Sequence, residues 1–242
     1  MSLFVIADLH LSSDGEKSME VFGARWQNYI EKIQKNWRAV VTDDDTVIVP
    51  GDISWALKLE DAARDLKLLD FLPGKKLIGK GNHDFWWSTV TKMNAFFERQ
   101  EIRSIGFLYN NAYMIEDCIV CGTRGWFLEE EQQKTVGEVD YARIVNRELI
   151  RLRMSLEEAR RLQPAEGEQL PILVFLHFPP VWNGFVCREI VDLLHEFGIR
   201  SCYHGHIHSA YCAPRTVEFE GIEFTLTAAD YLNFAPMPIY PE

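Results

Sequence analysis

Five short apolar runs in this chain each stop at side chains that carry lone pairs. "LFVIA" ends at Asp8, with His10 two residues on. "TVIVP" ends at Gly51 and Asp52, and "KKLI" leads to Asn82, His83 and Asp84. "LPILVFL" ends at His177, and "RSCYH" runs into His206 and His208. The runs are short and rich in β-branched and aromatic residues, as buried strands are. Between them apolar residues recur every three or four positions, the spacing of a helix face. Met19, Phe22, Trp26, Tyr29, Ile33, Trp37 and Val40 form one such face across residues 19–40. Residues 56–72 read as a second helix stopped by Pro73 and Gly74, and residues 88–100 as a third with Ser88 as its N-cap.

Strands that alternate with helices predict parallel pairing in the first half. The second half changes character. "YMIED" with "CIVCGTRGW", and "TVEFEGIEFTL" around Glu220 and Gly221, read as antiparallel hairpins. Residues 137–163 form a long, heavily charged helical pattern ended by Pro164, expected to be a solvated surface helix. Residues 187–198 read as a short helix with Gly198 as its stop. The expected architecture is α/β, with helices outside a mixed sheet or outside two sheets packed face to face.

In open α/β sheets, ligands bind beyond the carboxyl ends of strands, where loops gather residues distant in sequence. Asp8 and His10 are two apart, as are His206 and His208; in extended backbone each pair points to one side. Gly51, Gly81 and Gly205 precede these residues, where a tight turn or a close backbone approach is useful. Taken singly, Asp8 reads as a helix cap and His177 as a core histidine, and His204 reads as structural. Recurring in order at strand ends, the set points to a metal site. Imidazole, carboxylate and carboxamide donors suit Mn, Fe, Zn or Co and need no thiolate.

The chain has 242 residues, 47% of them hydrophobic, which suits one domain spanning 1–242. No apolar run approaches the roughly 18 residues of a membrane span, and "MSLFVIADLH" lacks a basic leader. Five cysteines fit reduced thiols and a cytoplasmic setting better than a disulfide framework. Cys118 and Cys121 form a C-x-x-C, but on a strand residues three apart face opposite ways and do not share a metal. The net charge of −11 disfavours tracking a nucleic-acid polymer, which needs clustered Lys and Arg.

The motifs "DLH", "GD", "GNHD", "FLH" and "GHIH", in this order from residue 8 to residue 208, together resemble the signature of calcineurin-like metallophosphoesterases. "PGDISWALKLEDA" and "KGNHDFWWS" are also similar to a group of predicted bacterial phosphohydrolases in that superfamily. The resemblance implies a four-layer αββα sandwich of two mixed β-sheets flanked by helices, with a dinuclear metal site at the strand ends. It implies that Asp8, His10 and His208 bind one ion and that Asn82, His177 and His206 bind the other. It implies further that Asp52 bridges both and that His83 is a catalytic acid rather than a ligand. The second motif lacks the G-D-x-x-D-R-G extension of the protein phosphatases of this superfamily, so a phosphoprotein substrate is not expected.

Two divalent ions lower the pKa of a water between them and neutralise the phosphoryl oxygens, so the expected reaction is hydrolysis of a small phosphomonoester or phosphodiester by hydroxide. A nuclease of the same chemistry, or a non-catalytic metal-binding scaffold, are the alternatives. Asp84 is expected either to orient the His83 imidazole or to cap the next helix. Arg124, at the end of "CIVCGTRGW", reads as a phosphate clamp or a surface salt bridge. Trp86 and Trp87 are expected in the core, with one of them lining the mouth of the site and able to stack on a nucleotide base.

Overall fold

The computed structural model describes residues 1–13, 15, 17–126 and 138–240. In the first sheet, strands β1 (Leu3–Val5), β2 (Thr46–Val49), β3 (Lys75–Ile78) and β4 (Ile105–Phe107) are parallel, and β13 (Met237–Ile239) closes one edge antiparallel. Their order across the sheet is β13-β1-β2-β3-β4. The second sheet has a parallel centre: β6 (Cys118–Thr123), β7 (Ile172–Leu176), β10 (Ser201–His204) and β12 (Ile222–Leu226). The edges, β5 (Asn111–Ile115) and β11 (Thr216–Phe219), are the hairpin partners read from the sequence. The order here is β11-β12-β10-β7-β6-β5. Glu220 and Gly221, both at positive φ, make the tight turn between β11 and β12. A small separate hairpin joins β8 (Val181–Trp182) to β9 (Phe185–Val186).

Strand alternation sorts the side chains into layers. Leu3, Val5, Ile48 and Leu77 of the first sheet meet Val120, Leu173 and Phe175 of the second in one buried cluster between the sheets. Phe4, Val47 and Val49 face outward and pack under helices α1 (Tyr29–Val40), α2 (Ala63–Asp70) and α3 (Val90–Gln100). Ile119, Cys121, Val174 and Cys202 face the other way, under α4 (Glu138–Arg161) and α5 (Arg188–Glu196). The order is therefore helix, sheet, sheet, helix. Cys118 lies in the inter-sheet cluster and Cys121 under the helices, so the two thiols do point to opposite faces.

Several boundaries differ from the sequence reading. Residues 19–40 are not one helix. Gly23, at φ 120°, separates two 3-10 turns, Met19–Phe22 and Ala24–Trp26, and α1 begins only at Tyr29. Met19, Trp26, Tyr29, Ile33 and Trp37 are buried as expected, but Phe22 and Val40 are exposed. Helix α2 occupies only the second half of 56–72. The N-cap of α3 is Thr89, not Ser88; its hydroxyl accepts from the Lys92 N–H at 3.3 Å. Helix α4 is not merely a solvated surface helix. Val145, Leu152, Leu156 and Ala159 are buried on the second sheet. Its Ser155 hydroxyl donates to Asn111 O and accepts from Gly122 N. Gly137, where that helical pattern starts in sequence, lies outside the described residues.

Lys76 sits in the middle of the apolar-looking "KKLI" yet is fully buried. Its ammonium donates to the carbonyls of Asp70, Leu72 and Gly74 at 3.2, 2.6 and 2.8 Å, closing the C-terminal end of α2. Burial, the largest influence, pushes this ammonium down to about 8. Lys76→Met is expected to lower the unfolding free energy by roughly 2–4 kcal/mol, because buried carbonyls lose a charged donor. Urea denaturation measures the loss. No change in midpoint would mean that the carbonyls find other donors.

Candidate metal centre

The strand ends converge at one edge of the sandwich. Asp8 and His10 follow β1, Asp52 follows β2, Asn82 to Asp84 follow β3, His177 follows β7, and His206 and His208 follow β10. His10 Nε2 and His208 Nε2 face one another at 3.1 Å. Asn82 Oδ1 stands 2.7 Å from His177 Nε2. Between these pairs lies Asp52, whose Oδ2 is 3.6 Å from His10 Nε2 and also 3.6 Å from His177 Nε2. Asp8 Oδ1 is 3.7 Å from His177 Nδ1. Two overlapping groups thus have donor atoms close enough to hold an ion: Asp8 with His10 and His208, and Asp8 with Asp52 and His177. The His206 ring centroid is 5.3 Å from that of His177.

The backbone brings these groups together differently from the extended pairs read in the sequence. Asp8, His10, Asp52 and His206 all have positive φ, between 45° and 71°. Each pair converges through left-handed bends, which cost energy for residues with a Cβ and cluster at functional sites. The glycines play their expected part. A Cβ on Gly81 would collide with Asp52 Oδ1, and one on Gly205 would collide with Asp8 Oδ2.

The electrostatics favour a cation. Burial raises Asp8 to about 7, and burial with Asp84 and Asp8 raises Asp52 well above the carboxylate range. Burial and the neighbouring imidazoles hold His10 and His177 well below the ordinary histidine value. The buried Asp8 Oδ1 has no hydrogen-bond partner. His208 goes the other way, raised by its hydrogen bond to Asp230 and by Asp8. The buried carboxylates and the neutral imidazoles of His10 and His177 are stabilised by positive charge placed among the donors, and these atoms fit divalent ions.

Surrounding residues hold this arrangement, and several escaped the sequence reading. Asp230, buried beyond β12, accepts from His208 Nδ1 at 2.9 Å, from Ser209 N and from the Tyr211 hydroxyl. It fixes the His208 ring so that Nε2 faces the centre. The spacing of "TAAD" after an apolar strand was the available signal. Asp84 neither orients the His83 ring nor caps α3. Its carboxylate accepts from the backbone N–H groups of Asp52, Ile53, Ser54 and Gly81 and from Trp86 Nε1.

His83 is half-buried, and its backbone N–H donates to Asp52 Oδ1 at 2.8 Å. Its ring lies 5.5 Å from His10 and 4.3 Å from Trp55. Trp55 also stacks on His10 at 4.9 Å, and the exposed Phe85 flanks His83 at 6.4 Å. The aromatic residues beside His83 are thus Trp55 and Phe85, not Trp86 or Trp87. Trp86 is buried, and Trp87 packs against Phe107 and Tyr109. His204 is buried and packed edge-on against Trp182, and it belongs to neither group of close donor atoms. Arg124 lies beside the centre rather than in it; its carbonyl accepts from the N–H groups of His177 and Phe178.

The calcineurin-like phosphoesterase profile matches residues 1–210. The chain belongs to this family. Calcineurin-like phosphoesterases use divalent metal ions, and this one is a metal-dependent hydrolase of phosphoester bonds. No curated protein sequence matches it. Among solved structures, it is similar to the phosphopantetheinyl hydrolase PptH from Mycobacterium tuberculosis, with TM-score 0.58, 14% identity, and 100% of this chain and 96% of the other covered. It is also similar to TT1561 of Thermus thermophilus, with TM-score 0.56, 12% identity and coverage of 95% and 89%. GAP50, described as the anchor in the inner membrane complex of Plasmodium, has TM-score 0.54, 11% identity and coverage of 95% and 72%. At these identities the likeness is one of fold. No helix among the described residues of this phosphoesterase is long and apolar enough to cross a membrane.

Proposed function

We propose that this calcineurin-like phosphoesterase is a dinuclear enzyme that hydrolyses a small phosphomonoester or phosphodiester. The observation that carries the reading is Asp52 Oδ2, equidistant at 3.6 Å from an imidazole nitrogen on each side. In this reading Asp8, His10 and His208 hold one ion, Asn82, His177 and His206 the other, and Asp52 both. The ions are drawn from Mn, Fe, Zn and Co. When bound, they supply Lewis acidity and a nucleophile at neutral pH.

The chain's own residues do the rest. Asp230 and Asp84 keep the donors in place through hydrogen bonds. The His83 ring, held over His10 by Trp55, donates its proton to the departing oxygen as the ester bond breaks. Burial of Asp8, His10 and His177 keeps bulk water from competing for the donors. Residues 1–242 act as one catalytic domain, and the five free cysteines suit a cytoplasmic setting.

The acidic chain, at net charge −11, favours a small ester over a polymer. Metal-loaded protein is expected to turn over nitrophenyl esters with only a weak dependence on salt. A polymer substrate would show log K falling by roughly 0.7–0.9 per phosphate contact for each log unit of salt. Assaying small esters beside long DNA and RNA over a salt series separates the two. Efficient polymer cleavage with a steep salt slope, and little small-ester turnover, would replace this reading with a nuclease.

A further inference from the structure

His83 stands beside two aromatic residues that differ in how much of each ring is already taken. Trp55 is half-buried, stacked on His10 at 4.9 Å and in contact with His83 at 4.3 Å. Phe85 lies 6.4 Å from His83, nearly perpendicular to it at 77°, and is 61% exposed. His83 is its one ring neighbour among the described residues. A single exposed phenylalanine is ordinary on a protein surface. Two observations set this one apart.

The first is that its place is fixed without a covering partner. Asp84, between His83 and Phe85, accepts from the N–H groups of Asp52, Ile53, Ser54 and Gly81 and from Trp86 Nε1. The Phe85 N–H donates to the His83 carbonyl at 2.8 Å, which closes a tight turn. The catalytic ring and the exposed ring are thus carried by one anchored turn. The second is continuity with open space. Phe85 also walls a groove of about 480 Å³, with half-buried Leu59 and Trp87 inside it and exposed Glu60, Lys92 and Arg99 around it. Lys92 and Arg99 are seven residues apart on α3, so the groove follows that helix for roughly 10 Å.

In the proposed reaction the leaving oxygen takes its proton from the His83 ring and so lies within roughly 3 Å of it. The atoms attached to that oxygen point away from phosphorus. Trp55 closes one flank of His83, and Phe85 with its groove is the open one. We infer that Phe85 and this groove form the subsite for the leaving group, and that the preferred substrates are esters of an alcohol with an aromatic ring close to its oxygen. This rests on the proposed phosphoesterase reading and narrows it on the leaving-group side. Such a ring packs edge-to-face or offset on Phe85 and removes apolar surface of both from water, which a small aliphatic alcohol does far less.

The test compares benzyl phosphate with ethyl phosphate on metal-loaded protein. In each, one water attacks phosphorus, the bond from phosphorus to the alcohol oxygen breaks, and that oxygen leaves with a proton as benzyl alcohol or ethanol beside inorganic phosphate. Benzyl phosphate is expected to have the higher kcat/KM. In Phe85→Ala the ratio of benzyl to ethyl kcat/KM is expected to fall roughly 3- to 10-fold, the scale of a lost aromatic pair, and Phe85→Tyr should keep it. The affinity ratio of benzylphosphonate to ethylphosphonate, measured by calorimetry, is expected to fall in parallel. Melting temperatures without ligand check that the variants fold. A turn merely loosened by the substitution would slow both esters alike, because both alkoxides need the His83 proton, and would leave the ratio where it was. Hydrolysis of both esters without preference for benzyl, or with a ratio unmoved in Phe85→Ala, would overturn the subsite and leave the phosphoesterase reading intact. Failure to hydrolyse either ester, with two ions bound, would overturn the proposed small-ester activity; the phosphonate affinities would then decide the subsite alone.

Discussion

Asp52→Asn is expected to reduce ester hydrolysis by roughly 10³-fold or more, the scale on which loss of one pre-organised electrostatic group is felt. It is also expected to lower the metal content of the purified protein toward one ion or none. The reason is geometric. Asp52 Oδ2 stands 3.6 Å from a nitrogen of His10 and 3.6 Å from one of His177, so neutralising it is expected to weaken both halves of the centre together. Its other oxygen accepts from the His83 N–H, a bond that the Asn carbonyl oxygen can keep. The variant should therefore stay folded, with a near-native circular dichroism spectrum. Elemental analysis under metal-replete conditions is the deciding measurement. Two ions per chain in the variant would remove Asp52 from the bridge, and no metal in the parent protein would refute the centre altogether. Chelation of the parent should abolish hydrolysis and replacement of the metal should restore it.

His83→Ala separates chemistry from binding. Metal content is expected to stay near normal, because the ring stands beside His10 and Trp55 rather than among the close donor pairs. The fall in kcat is expected to be roughly 10²- to 10⁴-fold for substrates with alkoxide leaving groups, the range for a lost general acid. For nitrophenyl esters the loss should be much smaller, since nitrophenolate departs without a proton. An equal loss across both leaving groups would take the acid role away from His83.

Most strands were legible in the chain, because β-branched runs bounded by Gly, Pro and Asp have few other solutions; the short β4, β8, β9 and β13 and the order of strands across each sheet were not. The site residues were legible because each stands at the end of such a run. Less legible was anything that depended on contacts across the fold. Gly23 breaks the 19–40 pattern, although the apolar spacing continues through it. Lys76 was read only as part of the run "KKLI" and is a buried cap for the preceding helix. Asp84 looked like a partner for its neighbour His83 and instead binds a loop some thirty residues earlier in the chain. Trp55 stood in plain view in "GDISWAL", but only the left-handed bends at His10 and Asp52 bring it against two histidines. The pair Trp86 and Trp87 drew attention by adjacency; Trp86 is buried with its Nε1 on Asp84, and Trp87 packs against Phe107 and Tyr109.

The hydrogen bonds of Asp84 have a consequence for how the centre is filled. They tie the turn after β2 to the turn after β3, so Asp52 and Asn82 are positioned by protein contacts before any ion arrives. Small zinc domains behave in the opposite way, since the metal is what folds them. Here the centre is a socket rather than a staple. Metal ions are therefore expected to leave and be replaced while the chain keeps its shape, which circular dichroism of the chelated protein would check.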